Sequence, residues 1–415
     1  MIQESMGKFV LVLGAGRAQV PLMNYARTLG YGVIAVSPAG SYDGRSAADK
    51  VIDCDVSDYS RIYELVKSEP IAAVVSEELD VAVPSVAWLA DRLGLRGNPI
   101  GIARKFKNKY EMRKAASELG VNVPGFAQAG SVAELERAVE GLRFPLMIKP
   151  VDYSSSKGVR KVYDLAQMKS AFADAAQYSR EGVIVEEFVH GREYIVEAYT
   201  HGNRTTNLVV GNSEYFNVRD TFIPRARIFR DATSAVDPIE SRLRKINCTI
   251  AEGFGLEFGV THGEYLYDQA EDKIYLVEIA ARGGGVNIAS RLIPAITGLN
   301  VSELVVRDAL GLALPELKLN KGAAAYVTLL LPEGVVTDVV GADAVKGIDG
   351  VIACNLDGIR VGDRMFSVTD KRSRKGPILI SAETKARCQE IADEVRSRFR
   401  VTVKTKTGEL REIWE

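Results

Sequence analysis

The chain has 415 residues, 47% hydrophobic and 26% charged, with 53 basic and 54 acidic side chains and a net charge of −1. That length exceeds one ordinary core and sets an expectation of about two to four domains. The charge balance excludes a long-range field for nucleic acid or an anionic membrane.

The apolar run ending at Leu13 is stopped by Gly14 far short of a membrane span. No signal-peptide series stands at the start. Cys54, Cys248, Cys354 and Cys388 are widely spaced and form no CxxC, so reduced thiols and a cytoplasmic setting are expected. Three histidines, His190, His201 and His262, leave too few for a many-histidine metal site.

In chain order, residues 8–13, 32–37 and 71–76 read as strands, and 21–29 and 83–93 as helices. This alternation predicts a small parallel sheet with helices on its faces. A charged helix is expected over 102–119, ended by Gly120. Strands follow at 144–149, 183–189 and 193–199, then a helix at 238–254. Residues 260–267 and 274–280 predict a hairpin, and 301–310 a helix. The last hundred residues carry strands near 324–331 and 378–381 and a helix at 382–398. Their 335–345 and 371–376 stretches read as loops.

The hairpin places chemistry. Side chains alternate along a strand, so His262, Glu264 and Leu266 share one face. On the return strand Leu276, Glu278 and Ala280 share a face, with Arg282 continuing that parity. A turn centred on Glu271 sets Glu264 opposite Glu278, with Cβ atoms roughly 5 Å apart. A hard cation bridging the two carboxylates fits this arrangement. So does an exposed pair relaxed by solvent or by Arg282.

Other segments fit a nucleotide. Lys149 ends a strand just before Asp152-Tyr153-Ser154-Ser155-Ser156-Lys157-Gly158, a small polar stretch whose N–H groups and hydroxyls suit phosphate oxygens. It lacks the Walker A pattern. The turn Gly14-Ala15-Gly16 has Gln19 where a dinucleotide fingerprint needs its third glycine, and reads as a tight turn. Glu186-Glu187-Phe188-Val189 reads equally as an adenine-facing segment or an edge strand.

Taken together, Lys109, Lys149, the serine-rich stretch, the 186–189 strand, Glu193, Glu264 and Glu278-x-x-x-Arg282 resemble the ATP-grasp superfamily. The segments Gly259-Val260-Thr261-His262-Gly263-Glu264 and Glu278-Ile279-Ala280-Ala281-Arg282-Gly283-Gly284-Gly285 are similar to L-amino-acid ligases and related carboxylate–amine ligases. Biotin carboxylase and the carbamoyl phosphate synthase large subunit are more distant likenesses. The resemblance implies an α/β and α+β multidomain chain. Residues 1–103 would be a Rossmann-like pre-ATP-grasp domain, 104–186 and 187–314 the two ATP-grasp subdomains, and 315–415 a C-terminal α+β domain.

It also implies roles. Lys109 and Lys149 would contact ATP phosphates, and Ser154, Ser155, Ser156, Lys157 and Gly158 would close over them. Glu186, Glu187, Phe188 and Val189 would line the adenine pocket, with the Glu186 side chain and the Val189 backbone on its edge. Glu193 would hold the ribose. Glu264 and Glu278 would bind Mg2+ or Mn2+. Arg282 would stabilise the acyl phosphate and the tetrahedral state, and His262 would face substrate. Many members carry a further Asn ligand where Ala280 stands here.

The expected reaction is ADP-forming amide synthesis from a small-molecule carboxylate and an amine. A carboxylase or carbamoyl-phosphate type, or a nucleotide-binding module without turnover, are the alternatives. Neither nucleic acid nor membrane is expected as a partner, and the resemblance allows a homodimer.

Overall fold

In the computed structural model, which describes residues 5, 7–153, 157–179, 181–218, 222–234, 237–356, 358–368, 371–408 and 410–411, the chain opens with a parallel sheet. Its strands lie in the order Lys50–Asp53, Gly32–Ser37, Phe9–Leu13, Ile71–Val75. Val10 and Val12 enter one core cluster while Leu11 and Leu13 enter another. Both faces of this central strand are therefore covered, which is why it reads as an unbroken apolar run. The strand Lys50–Asp53 and the helix Tyr59–Val66 were not anticipated. The strand has only two apolar residues, between charged ends.

The charged helix expected over 102–119 is two helices, Ile100–Lys105 and Lys109–Glu118. The break is at Asn108, whose side chain accepts the Glu111 N–H at 3.0 Å as an N-cap. The second helix thereby starts at Lys109, and the Lys109 N–H donates to the Val151 carbonyl at 2.9 Å. A small antiparallel sheet follows, in the order Phe126–Ala129, Val183–Glu187, Leu146–Pro150, Arg160–Val162.

An eight-stranded antiparallel sheet forms the centre. It runs Lys273–Ala280, Phe258–Asp268, Arg192–His201, Arg204–Tyr215, Pro224–Asp231, Ala323–Leu329, Lys375–Ala382, Val351–Cys354. Strands from the last hundred residues thus continue the sheet that holds the hairpin. The 335–345 stretch is not a loop: it holds the strand Gly334–Val340 and the helix Ala342–Lys346. That strand is mostly exposed and belongs to a separate four-stranded sheet. Among the described residues no helix is long and apolar enough to cross a membrane.

Candidate active site

The hairpin pairs Glu264 with Glu278 directly, as residue counting expected. The outer half is one step off that count: Tyr265 faces Leu276 and Leu266 faces Tyr275. An extra residue, Val277, bulges from the return strand and restores the Glu264–Glu278 pair. The bulge also changes the expected parity. Leu276 packs with Tyr265 and Ile279 in a core cluster, on the face opposite Glu278. Arg113 pins the bulge, its guanidinium donating to the Val277 carbonyl at 2.5 Å.

The two facing acids do not neutralise each other through Arg282. Glu264 is buried and accepts from Arg227 at 2.6 Å, with the His262 Nε2 at 3.2 Å. Glu278 is half-buried and lies 3.3 Å from the Lys109 ammonium. Burial would raise Glu264, but Lys371, Arg227 and His262 outweigh it and hold the acid well below the usual carboxylate range. His262 lies between Glu197 and Glu264. Burial disfavours its charged form, and the two carboxylates reverse this and raise its pKa.

Glu278 and Glu264 line a cavity of about 470 Å³. Lys109, Lys149, Glu186, Phe188, Val189 and Glu193 line the same cavity, so most of the sequence-selected residues converge. Lys109 also donates to the Tyr153 carbonyl at 2.8 Å. Glu193 accepts from Ser213 at 2.6 Å and from Arg227 at 2.9 Å. The Phe188 ring carries the Lys161 ammonium 3.5 Å from its centroid. Glu186 differs from expectation: its carboxylate is held between Lys149 and Arg113, the latter at 2.6 Å, rather than left for an adenine edge. Burial would raise it, and these two cations instead bring it down to about 2.

Residues 142–290 match the ATP-grasp domain, and residues 327–404 match the L-amino acid ligase C-terminal domain 2. The chain belongs to the ATP-grasp ligases. It is 27% identical over 339 residues to the formate-dependent phosphoribosylglycinamide formyltransferase of Bacteroides fragilis, covering 78% of this chain and 82% of that one. An L-amino acid ligase from Bacillus licheniformis superposes with a TM-score of 0.80 at 21% identity, covering 95% of this chain and 98% of the other. The biotin carboxylase domain of the Hydrogenobacter thermophilus 2-oxoglutarate carboxylase, solved with ADP and magnesium, gives 0.72 at 14% identity, covering 98% and 92%. At these identities the two solved structures show the fold alone.

In this ATP-grasp ligase a second cavity of about 360 Å³ shares Glu264 and Glu278 with the first. Arg282 enters it, its Nε 3.7 Å from Asp80 and without a hydrogen-bond partner among the described residues. The Gly-rich turn after Arg282 is held by three carboxylates. Glu77 accepts the Gly283 N–H at 2.9 Å and Glu197 the Gly284 N–H at 3.0 Å. Glu78 accepts from Asn287 at 3.0 Å and Ser290 at 2.8 Å. These bonds hold Val286 and Asn287 in left-handed backbone, at φ 65° and 61°. A Cβ on Gly284 would collide with Glu197 and His262. Burial, together with neighbouring negative charge, pushes Glu77 up to about 8 and Glu78 up to about 7, against the N–H bonds that lower both.

Some expectations are corrected. Lys157 turns away from the first cavity and sits 4.4 Å over the Tyr178 ring. Glu187 lines the first cavity, and its carboxylate pairs with the exposed Arg143 at 3.3 Å. Gly158 has φ 70° and is not among the residues lining the first cavity. Ser154, Ser155 and Ser156 lie outside the described residues.

Site residues that sequence reasoning did not select are Arg113, Glu197, Lys371 and Arg374. The last two come from the stretch read as a loop, a short 3-10 turn at Lys371–Ser373 before the strand Lys375–Ala382. Arg227 had a signal, a run of arginines near residues 219–227, but nothing to separate it from solvated neighbours. No cluster of three or more acidic, His or Cys side chains suited to a metal occurs among the described residues.

Proposed function

We propose that this ATP-grasp ligase converts a small-molecule carboxylate into an acyl phosphate with ATP and joins it to an amine, releasing ADP and phosphate. The observation that carries the reading is Glu264 facing Glu278 in the cavity that Lys109 and Lys149 enter. Two hard oxygen donors fit Mg2+ or Mn2+ better than zinc, and Glu264 and Glu278 would hold the ion. When bound, such an ion offsets the negative charge of the transferring phosphoryl group.

The protein's own groups supply the rest. Lys109 and Lys149 would turn from Glu278 and Glu186 to the phosphates, and Gly158 with the preceding serines would cover them. Phe188, Val189 and the Glu186 strand would line the adenine, and Glu193 would take the ribose hydroxyls. The phosphoryl group passes from ATP to the carboxylate oxygen, and its bond to ADP breaks. The amine nitrogen attacks the acyl carbon, the carbon–oxygen bond to phosphate breaks, and the ammonium proton leaves to solvent. Arg282, whose buried Nε has no hydrogen-bond partner among the described residues, supports the developing oxyanion. His262 lines the second cavity beside Glu264 and faces substrate.

The division at residues 103, 186 and 314 is part of the same proposal, with a reducing compartment suited to the four free thiols.

A phosphate-release screen of acids against amines, with hydroxylamine as the acyl-phosphate trap, tests this. A hydroxamate is expected with at least one acid; none with any acid overturns the reading. Glu278→Ala should lower turnover by on the order of 100-fold or more while the fold survives. A narrower reading, with formate as the acid and phosphoribosylglycinamide as the amine, is favoured by the names of the curated relatives. That pair belongs in the same screen.

A further inference from the structure

A third and larger cleft, about 890 Å³, adjoins the second cavity and shares Leu79 and Val81 with it. It lies at the carboxyl ends of the parallel strands Phe9–Leu13 and Ile71–Val75. The strand order reverses between these two, and open α/β sheets bind ligands in the crevice at such a point. The volume falls in the range of small-molecule sites.

The chemistry of the walls narrows the occupant. Tyr42, Tyr59, Val81 and Ile100 are 41%, 36%, 39% and 39% exposed, and all four line this cleft. Apolar residues exposed singly are ordinary; four around one crevice are an apolar patch. Trp88 adds a half-buried indole beside Tyr59, with ring centroids 4.8 Å apart and planes tilted by 38°.

The donors around the cleft have partners within the chain. The Gly14 N–H donates to the Val36 carbonyl at 2.8 Å, and the Gly16 N–H to the Gln19 side chain at 2.9 Å. Arg104 pairs with Glu181 at 3.2 Å, Lys107 pairs with Asp80, and Lys157 lies over Tyr178. On the acidic side, the Asp152 Oδ1 is buried without a hydrogen-bond partner among the described residues. An unmatched carboxylate oxygen favours a donor, and so an amine over an acid.

We infer that this cleft receives the body of the amine substrate, an amine bearing an aromatic or bulky apolar group. The assignment to the amine rests on the ligase reading, since a carboxylate–amine ligase needs a second substrate site beside Arg282. Asp80 joins the two spaces: it pairs with Lys107 of the cleft and with Arg282 of the second cavity.

Fluorescence tests it on the full-length enzyme. Trp88 and Trp414 are the chain's two tryptophans, so Trp414→Phe leaves Trp88 as the sole reporter. With ADP and Mg2+ present, 2-phenylethylamine should shift the Trp88 emission saturably. Ethylamine should need at least about tenfold more, and ribose 5-phosphate should give no saturable shift. Ile100→Lys and Tyr42→Ala, both at exposed positions, should each weaken the 2-phenylethylamine response several-fold. Saturation by ribose 5-phosphate in place of the amine overturns the assignment, as does no saturation by any probe. Equal affinity for ethylamine and 2-phenylethylamine overturns it too. Amine saturation without hydroxamate from any acid would sink the ligase reading and leave an aromatic-amine site. Hydroxamate formation without amine saturation would sink the cleft assignment alone.

Discussion

Two buried carboxylate centres flank the proposed reaction site and titrate in opposite directions. Glu186 and Glu77 are both almost wholly buried. Burial is the largest influence on each, and for each it disfavours the charged form. Glu186 sits between Arg113 and Lys149 and stays ionised, at about 2. Glu77 has one backbone N–H and the charge of Arg282 against two neighbouring carboxylates, Glu78 and Glu197, and rises to about 8. Two cations paired with the acid reverse a desolvation penalty that one backbone dipole and an arginine not paired with the acid do not. The first centre borders the cavity proposed for the nucleotide. The second holds a glycine turn, where an acid protonated near neutral pH tolerates its acidic neighbours.

Removing a cation from the first centre should have the largest effect. Arg113→Met leaves Glu186 a buried charge with one partner and loses the bond to Val277; about 3–5 kcal/mol of stability should go, read by urea unfolding. The double change Arg113→Met with Glu186→Leu should recover part of it, since the buried carboxylate is gone while Lys149 loses its partner. If the double variant is no better than the single one, the loss is in packing and the charge argument fails.

The second centre predicts a slope in pH. Glu77 holds its proton in the folded state up to about 8, against 4.5 for the free group. The folded state then binds more protons across that window, so stability falls as pH rises from about 5 to about 8. One group contributes at most about 1.4 kcal/mol per pH unit. Glu77→Gln should flatten the fall in Tm over this range, whereas Glu186→Gln should not, because Glu186 titrates below 4.5. An unchanged slope in Glu77→Gln means that Glu77 is already ionised at neutral pH. The smallest effect should come from Glu187, one residue from Glu186. Its partner Arg143 is exposed, so Glu187→Ala should cost about 0–1 kcal/mol and leave the KM for ATP nearly as it was.

Much of this was legible because the relevant distances are short along the chain. Glu264 and Glu278 lie on one hairpin, and side-chain alternation brings them face to face. Lys149 and Glu186 lie on adjacent antiparallel strands. Strand ends and turns placed the first sheet for the same reason. The strand Lys50–Asp53 was missed because it has only two apolar residues, and Gly334–Val340 because its valines fall in adjacent pairs around Thr337 and Asp338 instead of alternating.

The amino-acid sequence by itself determined which side chains carry charge, how they alternate on each strand, and therefore which acids face which. It could not determine what compensates them. The Val277 bulge is held by Arg113, 164 residues away in the chain. The partner of Glu264 is Arg227, on a strand two removed in the sheet order from Arg192–His201, and Lys371 adds its charge from the last fifty residues. The turn after Arg282 depends on Glu77 and Glu78, more than 200 residues earlier. Coulomb energy in a dry interior depends on distance in space, and only the packed sheets bring such remote residues within a few ångströms.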